Sequence, residues 1–243
     1  MGDIIEKGSI KAVQDNYKKQ AAAKAVTLIK DQSIVGLGAG STIAFVVEFL
    51  KPEIENGLNI QLLTSSEETR RLLKQNKIDV SETNSFAGID IYLDSCDQFD
   101  KDLNALKSGG GIHTQEKLLA CMAREFVLVC DEAKYTEKLE TRFPLVIEII
   151  PESVNFVHSQ IQNFFRGVRT LLRKKENRAE PVITVNGNYL LDCWFSEWPE
   201  LSGINPSVKT IAGVVETSLF YNIAVKAILS GENGTRTLEK RKK

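Results

Sequence analysis

A glycine-rich turn with two hydroxyl residues, GLGAGST at residues 36–42, is the first segment of the sequence that can bind a ligand. Glycines let backbone N–H groups approach an anion, and a helix that follows directs its positive end to the same place. Unlike a Walker loop, the turn has no lysine before Ser41, and Ile43 stands where a dinucleotide-binding turn needs a small residue. The pattern therefore predicts a site for a small phosphate, with a turn that serves only packing as the alternative.

Two acids, Asp94 and Asp97, follow an apolar segment at residues 89–93 that is typical of a buried strand. Open α/β sheets bind ligands at the carboxyl ends of their strands, so both carboxylates are placed to exchange protons with a hydroxylated substrate. An acidic turn without a catalytic role is the alternative, because Asp is common in turns and Asp100 continues the acidic pattern.

A third segment, KSGGGIHTQE at residues 107–116, combines a lysine, three glycines and a glutamate. Thr114 can cap the helix that starts beside Glu116. The glycine amides can hold a reacting carbon near Glu116, while Lys107 supplies a cation for a developing oxyanion. A carboxylate in the first turn of a helix is also ordinary capping chemistry, and His113 is expected to be structural.

The elements that must position these segments alternate between helices and short apolar strands. The predicted helices cover residues 17–30, 41–50, 67–75 and 115–124, and the predicted strands cover residues 34–37, 60–63, 78–80, 89–93 and 126–130. This alternation predicts an α/β fold, with a parallel sheet covered by helices in a Rossmann-like domain.

The pattern changes after Pro144, where a second lobe is predicted. It contains strands at residues 145–150 and 168–172, a helix at 154–164, a hairpin about Asn186-Gly187 within 182–195, and a short helix from Asn205. These elements predict a small inserted α+β domain of the ferredoxin-like kind at residues 143–217. Residues 219–229 have helical spacing and are expected to return to the catalytic domain, which comprises residues 1–142 plus 218–243.

The charge balance and the cysteines exclude several kinds of site. With 31 Lys and Arg against 32 Asp and Glu, the net charge of −1 offers no overall attraction to nucleic acid or to an anionic membrane. The four cysteines form no CxxC pair and lack a histidine at zinc-ligand spacing, which predicts buried thiols. Because no signal peptide or membrane-spanning run is evident, a cytoplasmic location is expected.

Taken in order, the motifs resemble those of the ribose-5-phosphate isomerase A family. Its members carry a GxGTGST-like turn, a DGADE-like turn, KGGG followed by TxEK, and a lysine after a strand. This sequence has GLGAGST at 36–42, DSCDQ at 94–98, KSGGG at 107–111, TQEK at 114–117 and Lys134. The similarity spans about residues 18–220 and includes IEIIP at 147–151, NGN at 186–188 and GVVET at 213–217.

The resemblance implies an isomerase that interconverts D-ribose 5-phosphate and D-ribulose 5-phosphate through an enediolate, in the pentose phosphate pathway and without a metal or organic cofactor. It implies that Glu116 moves a proton between C2 and C1, that Asp94 and Asp97 help to open the sugar ring, and that Lys107 stabilises the enediolate. Family members are usually dimers or tetramers. The implied substrate-binding residues are Lys18, Gly38, Ala39, Gly40, Ser41, Thr42 and Lys134 for the phosphate, Ser95 and Cys96 beside the acids, and the amides of Ser108, Gly109 and Gly110 for the enediolate.

The sequence departs from the family pattern near the site. The departures are Ala39 for a hydroxyl residue, Ser95, Cys96 and Gln98 for Gly, Ala and Glu, Ser108 and Ser218 for glycines, and Val185 for an Asp. A positive φ at Ser108 would strain its loop. One alternative is therefore a diverged, catalytically weak or inactive sugar-phosphate binding or regulatory protein of the same fold. Another, from fold analogy alone, is isomerisation of an amino-sugar phosphate or acyl transfer from coenzyme A.

Overall fold

A computed structural model describes the backbone of residues 2–240 and the side chains of residues 11–240. The described chain divides into two compact units. The first lies within Met1–Cys96, Leu118–Tyr135 and Ile223–Lys243, and the second comprises Asp97–Lys117 and Thr136–Asn222. The second unit contains the segment 143–217 that was predicted as the small domain, and it also contains the segment from Lys107 to Glu116.

The helices and strands of the described residues have the following bounds. The helices are α1 (Gly2–Val26), α2 (Ser41–Glu55), α3 (Glu67–Gln75), α4 (His113–Met122), α5 (Val154–Phe164) and α6 (Leu201–Lys209). The strands are β1 (Ile34–Leu37), β2 (Gln61–Thr64), β3 (Ile89–Asp94), β4 (Gln98–Asp100), β5 (Ala105–Leu106), β6 (Ala123–Asp131), β7 (Tyr135–Thr136), β8 (Leu145–Ile149), β9 (Arg169–Leu172), β10 (Tyr189–Trp194), β11 (Val214–Thr217), β12 (Leu219–Phe220), β13 (Lys226–Gly231) and β14 (Gly234–Glu239).

The first unit is built on a six-stranded sheet in the order β14-β13-β6-β3-β1-β2. Neighbouring strands are parallel except for the outer pair β13 and β14. Helix α1 buries the small residues Ala21, Ala22 and Ala25, and α2 buries an apolar stripe that includes Val46 and Leu50 in the same core. The predicted α/β fold with a parallel sheet is therefore confirmed.

The second unit contains two four-stranded sheets, in the orders β11-β8-β10-β9 and β12-β5-β4-β7. In the first of them, β8 and β10 form an antiparallel centre. Helices α5 and α6 bury Val157, Ile161, Ile204 and Val208 in the core of this unit.

Three predicted elements are wrong. Residues 78–80 form no strand, and the first half of the predicted hairpin at 182–195 is reduced to a single bridge between Ile183 and Tyr189. Residues 219–229 are not helical but contain β12 and the start of β13. The second half of this segment joins the first sheet, since β13 pairs in parallel with β6, whereas β12 pairs with β5. No helix within residues 2–240 is both long and apolar enough to cross a membrane.

Candidate functional site

Asp94, the last residue of β3, anchors the glycine turn of the first unit. Its carboxylate is fully buried and accepts hydrogen bonds from Tyr92 Oη at 2.6 Å and from the backbone N–H groups of Ser95 at 2.7 Å and Ala39 at 3.1 Å. A Cβ atom on Gly38 would lie 1.8 Å from Asp94 Cγ. Glycine is therefore required at position 38, because the carboxylate occupies the space of a side chain.

The rest of the glycine turn forms the start of α2. Gly40 is the N-cap residue with φ 90°, a conformation that favours glycine. The first turn of this helix carries no acidic residue, so no side chain of the helix neutralises its positive end. Thr42 is buried and Ser41 is exposed. A hollow of about 460 Å³ lies between Gly40 and Ser41 on one side and residues of α3, including Arg71, on the other.

The two lysines expected to bind the phosphate both belong to the first unit. Lys18 Nζ lies 3.1 Å from Asp15 Oδ1, and its side chain is 18% exposed. Lys134 ends the short 3-10 turn Glu132–Lys134 and is half-buried. Ser95 and Cys96 continue from Asp94 and approach Cys130 on the neighbouring strand. Contact of either lysine with a phosphate stays a prediction.

In the second unit, Lys107 and Glu116 form a buried ion pair. Lys107 Nζ lies 3.2 Å from Glu116 Oε1, and each side chain is only 6% exposed. Glu116 is in the first turn of α4, and the backbone N–H of Lys107 donates to Ser218 O at 3.0 Å. A cation at this distance favours the ionised form of the carboxylate, which is the form that a general base needs.

Asp97 holds the glycine loop that follows Lys107. Its Oδ2 atom accepts hydrogen bonds from the backbone N–H groups of Ser108 at 2.6 Å and Gly109 at 2.8 Å. These are two of the three amides that were expected to stabilise the enediolate. In this structure they bind a carboxylate of the protein, so the loop is fixed by Asp97.

The substituted serines are accommodated without backbone strain. Neither Ser95 nor Ser108 is among the residues with positive φ in the described chain, so the strain considered for Ser108 does not arise. Ser108 Oγ donates to Pro144 O at 2.6 Å, and Ser218 Oγ, 3.5 Å away, accepts the N–H of Val146. The two serines therefore fill one buried space with hydrogen-bonded hydroxyls.

Gln98 shows why an amide suits a position where a carboxylate was expected. Its side chain is buried, accepts the backbone N–H of Glu140 at 2.7 Å and donates to Glu140 Oε2 at 3.2 Å. A glutamate there would place one carboxylate against another. Val185, in contrast, is 67% exposed, and nothing in the structure explains why it replaces an Asp.

A buried glutamate that the sequence analysis missed, Glu148, supports the start of α4. It lies on β8 and accepts hydrogen bonds from Thr114, Thr184, Asn186 and Asn188, three of them at 2.8 Å. Burial alone would raise the pKa of Glu148, but these four donors outweigh it and lower the pKa below its ordinary value. A single charged residue inside an otherwise apolar strand was the signal available in the sequence.

The sequence analysis also missed an ion pair between Lys117, on the same helix, and Glu216, on β11. Lys117 Nζ donates to Glu216 Oε1 at 2.9 Å and to Thr217 O at 2.6 Å. Burial would raise the pKa of Glu216, but the charge of Lys117 and further hydrogen bonds lower it. Two buried ion pairs, Lys107 with Glu116 and Lys117 with Glu216, therefore include neighbouring residues of α4.

Arg173, on the loop after β9, also escaped the sequence analysis. Its guanidinium binds both carboxylate oxygens of Asp192 and donates to Gly109 O at 3.2 Å. The glycine loop is therefore held from two directions, by Asp97 through its amides and by Arg173 through a carbonyl.

His113, the first residue of α4, is fully buried. Its Nε2 atom lies 3.3 Å from Glu216 O, and Nδ1 has no hydrogen-bond partner. Burial, together with the charge of Lys117, lowers the pKa of His113 to about 4. The imidazole is therefore neutral near pH 7, which favours a structural role. No group of three His, Cys, Asp or Glu side chains in the described part of the chain is arranged to hold a metal ion.

Comparison with known proteins identifies the family. Residues 61–234 match the family model of ribose 5-phosphate isomerase A (phosphoriboisomerase A). The ribose-5-phosphate isomerase A of Bacillus mycoides is 37% identical over 226 residues, which cover 91% of this chain and 98% of that protein. The structure of ribose 5-phosphate isomerase A from Methanocaldococcus jannaschii superposes with a TM-score of 0.85 at 32% identity, covering 92% of this chain and 98% of that one.

A D-ribose-5-phosphate isomerase solved in complex with phospho-erythronic acid superposes with a TM-score of 0.87 at 30% identity, covering 93% of this chain and 99% of that one. Sequence and fold therefore agree along nearly the whole chain. The protein belongs to the ribose 5-phosphate isomerase A family.

Proposed function

We propose that this protein interconverts D-ribose 5-phosphate and D-ribulose 5-phosphate. The observation that carries the proposal is the buried ion pair of Lys107 and Glu116, in a chain whose relatives are named as isomerases of this sugar phosphate. Moving a proton between C2 and C1 of an open-chain sugar requires one base and a means of stabilising the enediolate. Both requirements are met by this pair of side chains.

Glu116 is the proposed base, and Lys107 serves it in two ways. Before proton transfer, the ammonium group keeps Glu116 ionised. As Glu116 takes the C2 proton it becomes neutral, and the negative charge appears on the sugar oxygens. Lys107 then stabilises the enediolate, and loss of one such stabilising group typically costs about 3 kcal/mol of barrier.

The hydrogen bonds to Asp97 and Asp94 change the roles that we propose for the surrounding groups. Because Asp97 accepts the amides of Ser108 and Gly109, these amides position the loop, and the Gly110 amide is the donor kept for the enediolate. Asp94 is buried and already accepts three hydrogen bonds. We therefore assign Asp94 to positioning the phosphate turn, and Asp97 to ring opening as well as loop support.

The phosphate is proposed to bind the turn from Gly38 to Thr42, with Lys18 and Lys134 as cations. The positive end of α2 and the hydroxyl groups of Ser41 and Thr42 support this assignment. A homo-oligomer, dimer or tetramer, is proposed from the resemblance to the family, and a cytoplasmic location is kept as the expectation drawn from the sequence pattern. No role for nucleic acid or a membrane is proposed.

A coupled assay of ribulose 5-phosphate formation tests the proposal when it is combined with calorimetry. Wild type should turn over ribose 5-phosphate, whereas Glu116→Gln should bind it but release no measurable ketose. Glu152→Gln, on the short turn before α5, is the matched control and should retain wild-type turnover. Binding by wild type without turnover would instead establish the diverged binding protein, and preference for a hexosamine phosphate would favour the amino-sugar alternative.

A further inference from the structure

Two cysteines of the first unit lie together, one just after the end of β3 and the other on the neighbouring strand β6. Strands β3 and β6 are paired with Asp94 opposite Leu128. Cys96 lies two residues beyond the end of β3, and Cys130 lies on β6 two residues after Leu128. Their Sγ atoms lie 3.6 Å apart, and all four cysteines of the chain are thiols. At this separation, a movement of about 1.6 Å brings the two sulfurs to the length of a disulfide bond, about 2.05 Å.

The surroundings of this pair favour reaction between the two sulfurs. A hydrogen bond from the Cys96 thiol, and a weaker one from Ser95, lower the pKa of Cys130. Together they outweigh burial, which alone would raise it. Thiolates, not thiols, are the nucleophiles in disulfide formation. Cys193 provides the contrast, because burial raises its pKa and it packs in the core of the second unit. Cys121 is exposed on the surface.

We propose that Cys96 and Cys130 form a redox modification site, in which a peroxide converts the dithiol to a disulfide and thereby inhibits the enzyme. Cys96, which retains 7% exposure, passes its proton to Cys130 and attacks the peroxide as the thiolate. The O–O bond breaks, one oxygen leaves as water and Cys96 becomes a sulfenic acid. The Cys130 thiolate then attacks the Cys96 sulfur, the S–O bond breaks and a second water leaves. Two electrons pass from the sulfurs to hydrogen peroxide, and both thiol protons end in water.

Inhibition is expected because Cys96 lies two residues after Asp94, whose carboxylate holds the glycine turn. Bond formation must bring the sulfurs from 3.6 Å to about 2.05 Å. The intervening residue, Ser95, donates its N–H to Asp94 and has its hydroxyl 3.8 Å from Cys130 Sγ. Movement of Cys96 toward β6 therefore pulls on the backbone that positions Asp94. Displacements of about 1 Å in a catalytic site can cost about 100-fold in rate.

Peptide mapping after peroxide treatment tests the site. The full-length protein with Cys121→Ser, which removes the exposed thiol, is treated with hydrogen peroxide, alkylated and digested with trypsin. The tryptic peptides 78–101 and 125–134 contain Cys96 and Cys130. They should be recovered as one linked species, lighter by two hydrogen atoms than the separate peptides, and dithiothreitol should release them. Isomerase activity should fall about 100-fold on oxidation and recover with dithiothreitol.

Cys130→Ala in the same background is the decisive variant, because it removes the resolving thiol outside the proposed substrate-binding residues. It should form no linked peptide and show no peroxide inhibition that dithiothreitol reverses. Recovery of Cys96 as a sulfinic or sulfonic acid without the linked peptide would overturn the proposed site, and a linked peptide with unchanged activity would overturn the inhibition. The inhibition rests on the proposed function, whereas the linked peptide is detected independently of any activity.

Discussion

Lys107 Nζ lies 3.2 Å from Glu116 Oε1, and both residues belong to the second unit. Because both side chains are almost fully buried, the pair is shielded from water, and removal of one partner leaves the other as a buried charge. The surrounding contacts fix this geometry from several sides. Asp97 and Arg173 hold the loop after Lys107, and Glu148 holds the first turn of α4.

The charge of Lys107 is expected to act mainly in the transition state. Lys107→Met removes the charge and keeps most of the side-chain length. We expect kcat to fall about 100- to 1000-fold with a smaller change in KM, because the enediolate carries the charge that Lys107 stabilises. Steady-state kinetics measure both constants. Lys101→Met removes an exposed lysine paired with Glu137 and should leave them unchanged; equal losses in the two variants would exclude a specific role for Lys107.

The contact between Gly38 and Asp94 predicts a position-specific effect of an added methyl group. Gly38→Ala places Cβ where Asp94 Cγ lies, so the turn must shift, and KM for ribose 5-phosphate should rise at least about 10-fold. Gly57→Ala is the matched control, with φ 106° and open space around it. It should cost only about 1 kcal/mol of backbone strain and leave KM unchanged. A normal KM for folded Gly38→Ala would contradict the assigned role of the turn.

Glu148 is expected to stabilise the second unit and to align Glu116. In Glu148→Gln, the new amide NH2 faces groups that are themselves donors, including Thr114 and Asn186. We expect the free energy of unfolding to decrease by about 2–3 kcal/mol, and kcat to decrease because Thr114 is two residues from Glu116. Urea denaturation measures the first effect. A variant as stable as wild type would show that the four hydrogen bonds are dispensable.

His113 predicts a loss of stability in mild acid. Its pKa is about 4 in the folded protein, against 6.5 for the ordinary side chain. Below pH 6.5 the unfolded chain therefore binds a proton that the folded protein excludes, so this contribution to stability is present at pH 7.5 and is lost as the pH falls toward 4. The loss between pH 7.5 and pH 5 should be about 2 kcal/mol.

Urea titrations at the two pH values test this expectation with two variants. His113→Gln should reduce the dependence on pH, whereas His158→Gln, which removes the other histidine, should retain it. An unchanged dependence in His113→Gln would show that other groups cause the acid sensitivity.

Much of the fold could be predicted from the sequence because buried parallel strands are short apolar runs between helices. The segment 67–75 was predicted with the bounds that α3 shows, and residues 154–164 with those of α5. The segment 219–229 failed because a short apolar run fits a buried strand and a helix equally well. From Lys226 onward the chain is a strand because it pairs with β6, nearly a hundred residues earlier. A local sequence pattern cannot show such a distant pairing.

The site was predicted only as far as its motifs are contiguous. Lys107, Glu116 and the glycines stand in one segment with a recognisable chemical pattern. Glu148 and Arg173 were missed because their partners are distant in sequence, and because an isolated charge in a strand or loop has no characteristic spacing. The second role of Asp97, as the acceptor of two loop amides, depends on backbone geometry that side-chain types do not specify.

The most direct test of the central claim is proton exchange during the reaction, followed by NMR in D2O. Wild type supplied with ribose 5-phosphate should form ribulose 5-phosphate that carries deuterium at C1, because the proton removed from C2 exchanges with solvent on Glu116. Glu116→Gln should bind the sugar phosphate, form no ketose and incorporate no deuterium. Ketose formation by Glu116→Gln at the wild-type rate would contradict the assignment of Glu116 as the base.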